Sequence, residues 1–262
     1  MWFRARCRQK AVEKDDLSLL RGMTEKERKN LDRKGIFTVT QLSYTFRPRR
    51  KPKRLAGNRE KYHHSLKALA IRDRKIYIVG SPELKIEGTP VYLDVEGLPD
   101  RDFYYLIGLR VKTARGFEQH SLWADTVDQE RRIWADFLGI LSGIDNPVLI
   151  HYGRYESIFL KQMCDRYGEP PKGLVRAKIF NEALNLLSII FAQVYFPTYS
   201  NGLKDIASFI GAHWESPEAD GLHTIRRRSE WERTRVVSCT PNQFRGIFSD
   251  NATSSGTLKE HS

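Results

Sequence analysis

The spacing of apolar residues along this chain changes character near residue 75. Before it, Leu17, Leu20, Met23, Leu31, Ile36, Val39 and Leu42 recur so that they would face one small core. Thr24 followed three residues on by Glu27 is a capping-box signature, Glu25 to Leu31 has helix-forming composition, and Gly35 breaks the run. A second N-cap follows at Thr38 or Thr40. The pattern over 16–45 therefore predicts two short helices around a turn, too small a unit to be very stable alone.

From residue 75 the period becomes that of strands. KIYIVG and PVYLDVEGL read as two strands with a Pro/Gly-bearing turn between them, and FYYLIGLRVK and FEQHSLWA complete a meander punctuated by Gly108 and the Arg115-Gly116 turn. TVDQERRIWADFLGILSGI predicts a helix with Thr126 as N-cap and Ile133, Trp134, Phe137, Leu138 and Leu141 on one face, ended by Asn146-Pro147. PVLIHYG is then a short apolar strand and Tyr155 to Tyr167 the next helix. Residues 174–211 are mostly helical in pattern, with a break at VYFPTYSNG (194–202) after which Ser200 or Asn201 can cap LKDIASFIG. Past about residue 232 the periodicity disappears and the composition is that of a poorly ordered loop.

Two acids interrupt this pattern. In a strand, residues i and i+2 share a face, so Asp94 and Glu96 in VYLDVEGL point one way while Leu93 and Val95 point into the opposite layer. Adjacent carboxylates raise each other's cost of ionising, an arrangement that a cation between them would offset. Hard oxygen ligands select Mg2+ or Mn2+, and two such ions can activate a water and steady the leaving oxygen of a phosphodiester. Gly97 would let a substrate backbone approach. The other reading is a pair of solvated acids at the wet end of a surface strand. In LIHYGRYESIFLKQM, a strand leads through Gly153 into a helix whose first turn holds Glu156, which can point back toward Asp94 and Glu96 or simply answer the helix dipole. His151 and Tyr155 could orient water or stack on a base or sugar, or could serve packing alone.

Composition sharpens the choice of partner. Residues 1–90 carry 24 Lys/Arg against 10 Asp/Glu, net +14, while the whole chain is +12, so the excess is entirely N-terminal. Such asymmetry predicts a polyanion-binding arm joined to a nearly neutral body. Within it FRPRRKPKR, residues 46–54, places Arg47, Arg49, Arg50, Lys51, Lys53 and Arg54 on an extended, proline-bearing connector. No run approaches the 18 or more apolar residues of a membrane span, and MWFRARCRQK has no apolar segment behind its charge, so the expected location is the cytoplasm. Cys7, Cys164 and Cys239 are too few and too far apart to write a disulfide framework or a zinc site locally.

Taken together, LDVEG (93–97), IHYGRYE (150–156), VYFPTYSNGLKDIA (194–207) and the helical hairpin before them resemble the YprB-type RNase H-like exonuclease domain of the DnaQ-like (DEDD) superfamily, as found in RecB-like putative nucleases. The resemblance runs from about residue 10 to 232. It implies an α/β RNase H-like fold, divalent metal ions and phosphodiester cleavage in nucleic acid, DNA rather than RNA. Asp94 and Glu96 would be the first pair of metal-binding acids, and Glu156 stands where the superfamily usually has its second-motif Asp. The hairpin looks like a helix-hairpin-helix unit whose backbone amides near Lys34 and Gly35 would meet phosphates.

Two departures accompany it. The Tyr-x-x-(Glu/Asp)-Asp segment expected after GLHTIRRRSEWE is missing, and Asp250, the one acid between Arg233 and Gly256, has a loop-like context. Weak or absent nuclease activity is the expectation, with a catalytically silent nucleic-acid-binding fragment as the alternative. The start resembles the end of a preceding module whose cysteines hold an iron-sulfur cluster in relatives, and Cys7 alone cannot hold one. The expected organisation is a remnant at 1–15, the hairpin at 16–46, a basic linker at 47–74, the RNase H-like domain at 75–232 and an aberrant tail at 233–262. On this view the chain is an internal fragment of a longer protein.

Overall fold

The computed structural model describes residues 2–47, 62–168, 180–212 and 221–234. Along them run α1 (Trp2–Glu13), α2 (Glu25–Asp32), α3 (Val39–Ser43), α4 (His64–Asp73), β1 (Tyr77–Ile78), β2 (Thr89–Leu98), β3 (Phe103–Thr113), β4 (Gly116–Trp123), α5 (Glu130–Ser142), β5 (Pro147–His151), α6 (Tyr155–Tyr167), β6 (Leu184–Asn185), α7 (Leu186–Ile190), β7 (Val194–Tyr195), α8 (Leu203–Phe209) and α9 (Gly221–Thr234). They divide into two units: residues up to Lys85 together with Asn185–His213, and Ile86–Leu184 together with the chain from Trp214. A division in which a late segment joins the first part of the chain leaves no mark in composition.

In the first unit both helix starts of the hairpin are capped by full capping boxes, Thr24 with Glu27 and Thr38 with Gln41. Gly35 turns between them at φ 74°, in the left-handed region where glycine avoids a Cβ clash. Leu17, Leu20, Val39 and Leu42 pack with Ala68 of α4, so α4 completes the core that the hairpin alone is too small to close. Leu66, Ala70 and Tyr195 form a second cluster. The late segment is fixed there by Tyr195 Oη, which accepts the His63 amide at 3.0 Å, and by buried Lys67, whose Nζ donates to Asn201 Oδ1 at 2.8 Å and Thr198 Oγ1 at 3.3 Å. Burial pushes the Lys67 ammonium down to about 8.

Three local expectations change. The strand read in KIYIVG shrinks to Tyr77–Ile78 and pairs antiparallel with Val194–Tyr195, so it is not the neighbour of β2. Gly202, not Ser200 or Asn201, is the N-cap of α8; Ser200 Oγ accepts the Gly202 amide and donates to Asp205 Oδ2. Thr126 caps a short 3-10 turn over Val127–Gln129 before α5 begins, and α5 ends at Gly143.

The second unit is built on a mixed sheet in the order β4-β3-β2-β5-β6. β2 pairs antiparallel with β3, β3 with β4, and β5 parallel with β2. The parallel pair requires a crossover, which α5 supplies. Val91, Leu93 and Val95 of β2 point into a core with Ile107 and Leu109 of β3, Trp134, Phe137 and Leu141 of α5, and Phe159 and Met163 of α6. Period-two alternation therefore sends Tyr92, Asp94 and Glu96 to the other face. This is the α/β architecture, a mixed sheet flanked by helices, that the resemblance implied. No helix among the described residues is long and apolar enough to cross a membrane.

Candidate active site

Parallel register sets the site. Tyr92 pairs with Ile150, so β2 and β5 run out in the same direction, and the turn after His151 passes beside Asp94. Gly153 makes that turn at φ 107°, a conformation L side chains rarely adopt. α6 starts at Tyr155 with Glu156 in its first turn, 6% exposed. Across the sheet Asp94 is paired with Gly108, which has no side chain to set beside it. A β-bulge falls between Glu96 and Gly97, and bulges bend a strand and re-aim its side chains.

Asp94 and Glu156 are brought together. Burial raises the Asp94 carboxyl and the charge of Glu156 raises it further, while the Val95 amide pulls the other way, and the result is about 6. Glu96 lies within electrostatic reach of Tyr105 and Tyr155, and Asp94 within reach of Tyr105. The phenols of both tyrosines are pushed up, first by burial and then by these carboxylates, so both stay neutral donors. Glu156 Oε2 is buried and has no hydrogen-bond partner among the described residues; His151 Nδ1 lies 3.5 Å from it. His151 Nε2 in turn lies 3.3 Å from Ser157 Oγ.

Hard oxygens in mutual repulsion, with one buried carboxylate oxygen lacking a partner, fit a divalent cation at Asp94 and Glu156. Among the described residues, however, no three Asp, Glu, His or Cys side chains are placed to hold a metal ion together. The expected triad of Asp94, Glu96 and Glu156 is thus a coupled pair with Glu96 on the same strand face.

Two roles read from the sequence are corrected by burial. His151 is 3% exposed and cannot stack on a base; it faces Glu156 and Ser157 instead. A Cβ at Gly97 would meet Tyr155 Oη at 2.6 Å and the Phe103 carbonyl at 2.8 Å, so glycine there accommodates a tyrosine, not a substrate backbone. Tyr155 itself is 36% exposed, edge-on to Tyr104 with ring centroids 5.9 Å apart.

The backbone amides of the hairpin are not open to phosphates. Those of Lys34, Gly35 and Ile36 donate to carbonyls of Leu31 and Asp32, those of Phe37 and Thr38 to Gln41 Oε1, and those of Val39 and Thr40 to the carbonyl and carboxylate of Asp15. The Lys34 and Arg47 side chains are exposed, and Gly35 lies on the surface between the helices. Arg49, Arg50, Lys51, Lys53 and Arg54 lie outside the described residues.

Glu130 is the site-supporting residue that the sequence reading missed. It is 1% exposed at the start of α5, accepts the Tyr104 amide at 2.7 Å, Arg166 Nη1 at 2.9 Å and Tyr167 Oη at 2.6 Å, and thereby joins α5, α6 and β3. Its signal was present: 130, 133, 134, 137 and 141 form one helical stripe, and an acid on a buried stripe needs partners. On the polar side of β3, Arg228 of α9 stacks over Tyr105 at 5.1 Å and Trp231 at 4.4 Å and donates to the Asp125 carbonyl at 2.5 Å.

A family model described as RNase_H superfamily matches residues 91–239, more than half of the chain, and this span includes Asp94, Glu96 and Glu156. No match was found among curated proteins or among solved structures.

Proposed function

We propose that this chain, which belongs to the RNase H superfamily, is a metal-dependent phosphodiester hydrolase of the exonuclease type acting on nucleic acid, with Asp94, Glu96 and Glu156 as its metal-binding carboxylates. Membership of the superfamily supports a nuclease-like function; the metal dependence, the exonuclease mode and the preference for DNA over RNA are our own reading. The observation that carries it is Asp94 beside Glu156, lifted to about 6 first by burial and then by the Glu156 charge. A structural carboxylate is normally bonded so that its pKa falls, whereas this pair gains by sharing a cation.

In this reading Asp94 and Glu156 hold Mg2+ or Mn2+ and Glu96 faces the same space. The bound ion would supply Lewis-acid activation of water and phosphoryl oxygen. His151, buried behind Glu156, orients that carboxylate, and half-exposed Tyr155 presents its ring and neutral hydroxyl where a nucleotide would lie. With three carboxylates and no Tyr-x-x-(Glu/Asp)-Asp segment in the sequence, turnover is expected to be slow.

The test is Mn2+ binding by titration calorimetry, run alongside hydrolysis of end-labelled single-stranded DNA and RNA. Asp94→Asn and Glu156→Gln should each abolish tight Mn2+ binding and any hydrolysis. Unaltered Mn2+ binding in both variants sinks the assignment. A second reading, a nucleic-acid-binding domain without catalysis, is favoured by the lack of a three-ligand group among the described residues; it predicts oligonucleotide binding with no product after prolonged incubation in either metal.

A further inference from the structure

Because the hairpin amides from Lys34 to Gln41 donate within the chain, nucleic acid must be met on this unit by side chains. One side chain is built for it. Tyr44, at the C-terminal cap of α3, is 71% exposed, the most exposed large apolar or aromatic side chain among the described residues. It is not loose: the Arg72 guanidinium lies 4.4 Å from its ring centroid and occupies one face. Arg72 is itself fixed, donating from Nη1 to Ser43 Oγ at 3.1 Å and from Nε to Asp73 Oδ1 at 2.9 Å. Ser43 is buried and donates to the Thr40 carbonyl, and Asp73 also accepts Tyr77 Oη at 2.7 Å. The ring is thus held from behind by a chain of four residues while its outer face looks into solvent.

The surroundings are cationic. Arg47 follows Tyr44 by three residues, Arg74 and Lys75 follow Arg72 at the end of α4, and Asp73 between them is engaged by Arg72 and Tyr77. A rigid aromatic face on a cation-rich stretch suits an unpaired base with its phosphates, because every base has a face to stack and the cations follow the backbone. Paired bases are already stacked within the duplex and cannot reach it. Among the described residues, both Asp73 oxygens are engaged and Thr45 Oγ1 donates to the Leu42 carbonyl, so neither is set to select a 2′-hydroxyl.

We propose that Tyr44, backed by Arg72 and flanked by Arg47, Arg74 and Lys75, is a stacking platform for single-stranded DNA. This rests on the reading that the chain takes nucleic acid, but not on the carboxylate site. The experiment is fluorescence anisotropy of a labelled oligothymidine of about 16 nucleotides, in EDTA so that no metal-dependent step contributes. A duplex and an RNA of equal length form the other arms. Stacking on one aromatic side chain contributes about 1–3 kcal/mol, so Tyr44→Ala should weaken single-strand binding about 5- to 150-fold. Tyr44→Phe, which keeps the ring, should bind within about twofold of wild type, and duplex binding should change less than about twofold in Tyr44→Ala. Wild-type binding that survives Tyr44→Ala, falls equally for duplex, or favours RNA over DNA by about tenfold overturns the platform and leaves the proposed function standing. No binding by the wild-type chain to any of the three in EDTA overturns the platform and leaves the metal-dependent function to its own test with Mn2+.

Discussion

Replacing Asp94 by Asn should make the metal-free protein more stable at alkaline pH, the opposite of the usual effect of altering a polar residue inside a fold. The carboxyl sits at about 6 in the folded chain against 3.8 as its ordinary value. A raised acid holds its proton longer in the native state than in the unfolded one, so stability from this group is fully present below pH 3.8, declines as pH rises to 6, and stays reduced above. The difference of 2.2 units corresponds to about 3 kcal/mol at pH 8, and about half of that is already lost at pH 5. Asn cannot ionise, and its carbonyl can still accept the Val95 amide. Asp94→Asn should therefore gain about 3 kcal/mol over wild type at pH 8 and about 1.5 kcal/mol at pH 5, which for a domain of this size is about 6–12 °C and 3–6 °C in Tm.

Thermal unfolding followed by circular dichroism, in EDTA at both pH values, reads this directly. Saturating Mg2+ or Mn2+ should then raise the wild-type Tm at pH 8 and close the gap, by about 2.7 kcal/mol when the ion is at a hundred times its Kd, and leave Asp94→Asn unmoved. A variant less stable than wild type at pH 8, or a gain identical at the two pH values, would refute the claim that Asp94 ionises against burial and Glu156. A metal response that persists in the variant would refute only the assignment of the ion to this pair.

Other outcomes follow from the same geometry. Glu130→Ala removes the acceptor for the Tyr104 amide, Arg166 and Tyr167 at once and should cost about 3–5 kcal/mol in urea unfolding; a cost below about 1 kcal/mol would show that the hub is not structural. Gly97→Ala brings a methyl against Tyr155 Oη and the Phe103 carbonyl and should cost about 1–3 kcal/mol, with Tyr155 displaced in a crystal structure of the variant.

What the sequence made legible here was periodicity, and what it concealed was partnership over distance. The capping boxes, the alternation that puts Asp94 and Glu96 on one face, and the stripe from Ile133 to Leu141 are local rules, and each reappears in the structure. Tyr77–Ile78 is a strand as its pattern predicts, but its partner, Val194–Tyr195, lies more than a hundred residues away, and two paired residues leave no periodic signal of that pairing. Lys67 is similar: a lysine among alanines and leucines on α4 reads as a solvated charge until Thr198 and Asn201 are brought to it. For His151 the motif leaves an outward and a packing role open, and for Gly97 it suggests an outward one, because a short motif says nothing of depth. Burial turned one toward Glu156 and the other under Tyr155.

The two acids that face each other in this site are not equivalent, and the fold explains the difference. Glu156 stands in the first turn of α6, where unbonded amides and the helix dipole favour a negative charge. Asp94 stands mid-strand, with one backbone amide in its favour and burial against it. Burial first and the Glu156 charge second raise Asp94, so the strand acid is the one whose ionisation a bound cation would favour. His151 is buried beside Glu156, with Nδ1 3.5 Å from Glu156 Oε2, which has no hydrogen-bond partner among the described residues. The parallel pairing of β5 with β2 is what brings a helix start beside a strand interior. A carboxyl raised by burial beside a helix-start acid is therefore a property of the topology, and a divalent ion held between them would favour the ionised form of Asp94 and offset the burial that opposes it.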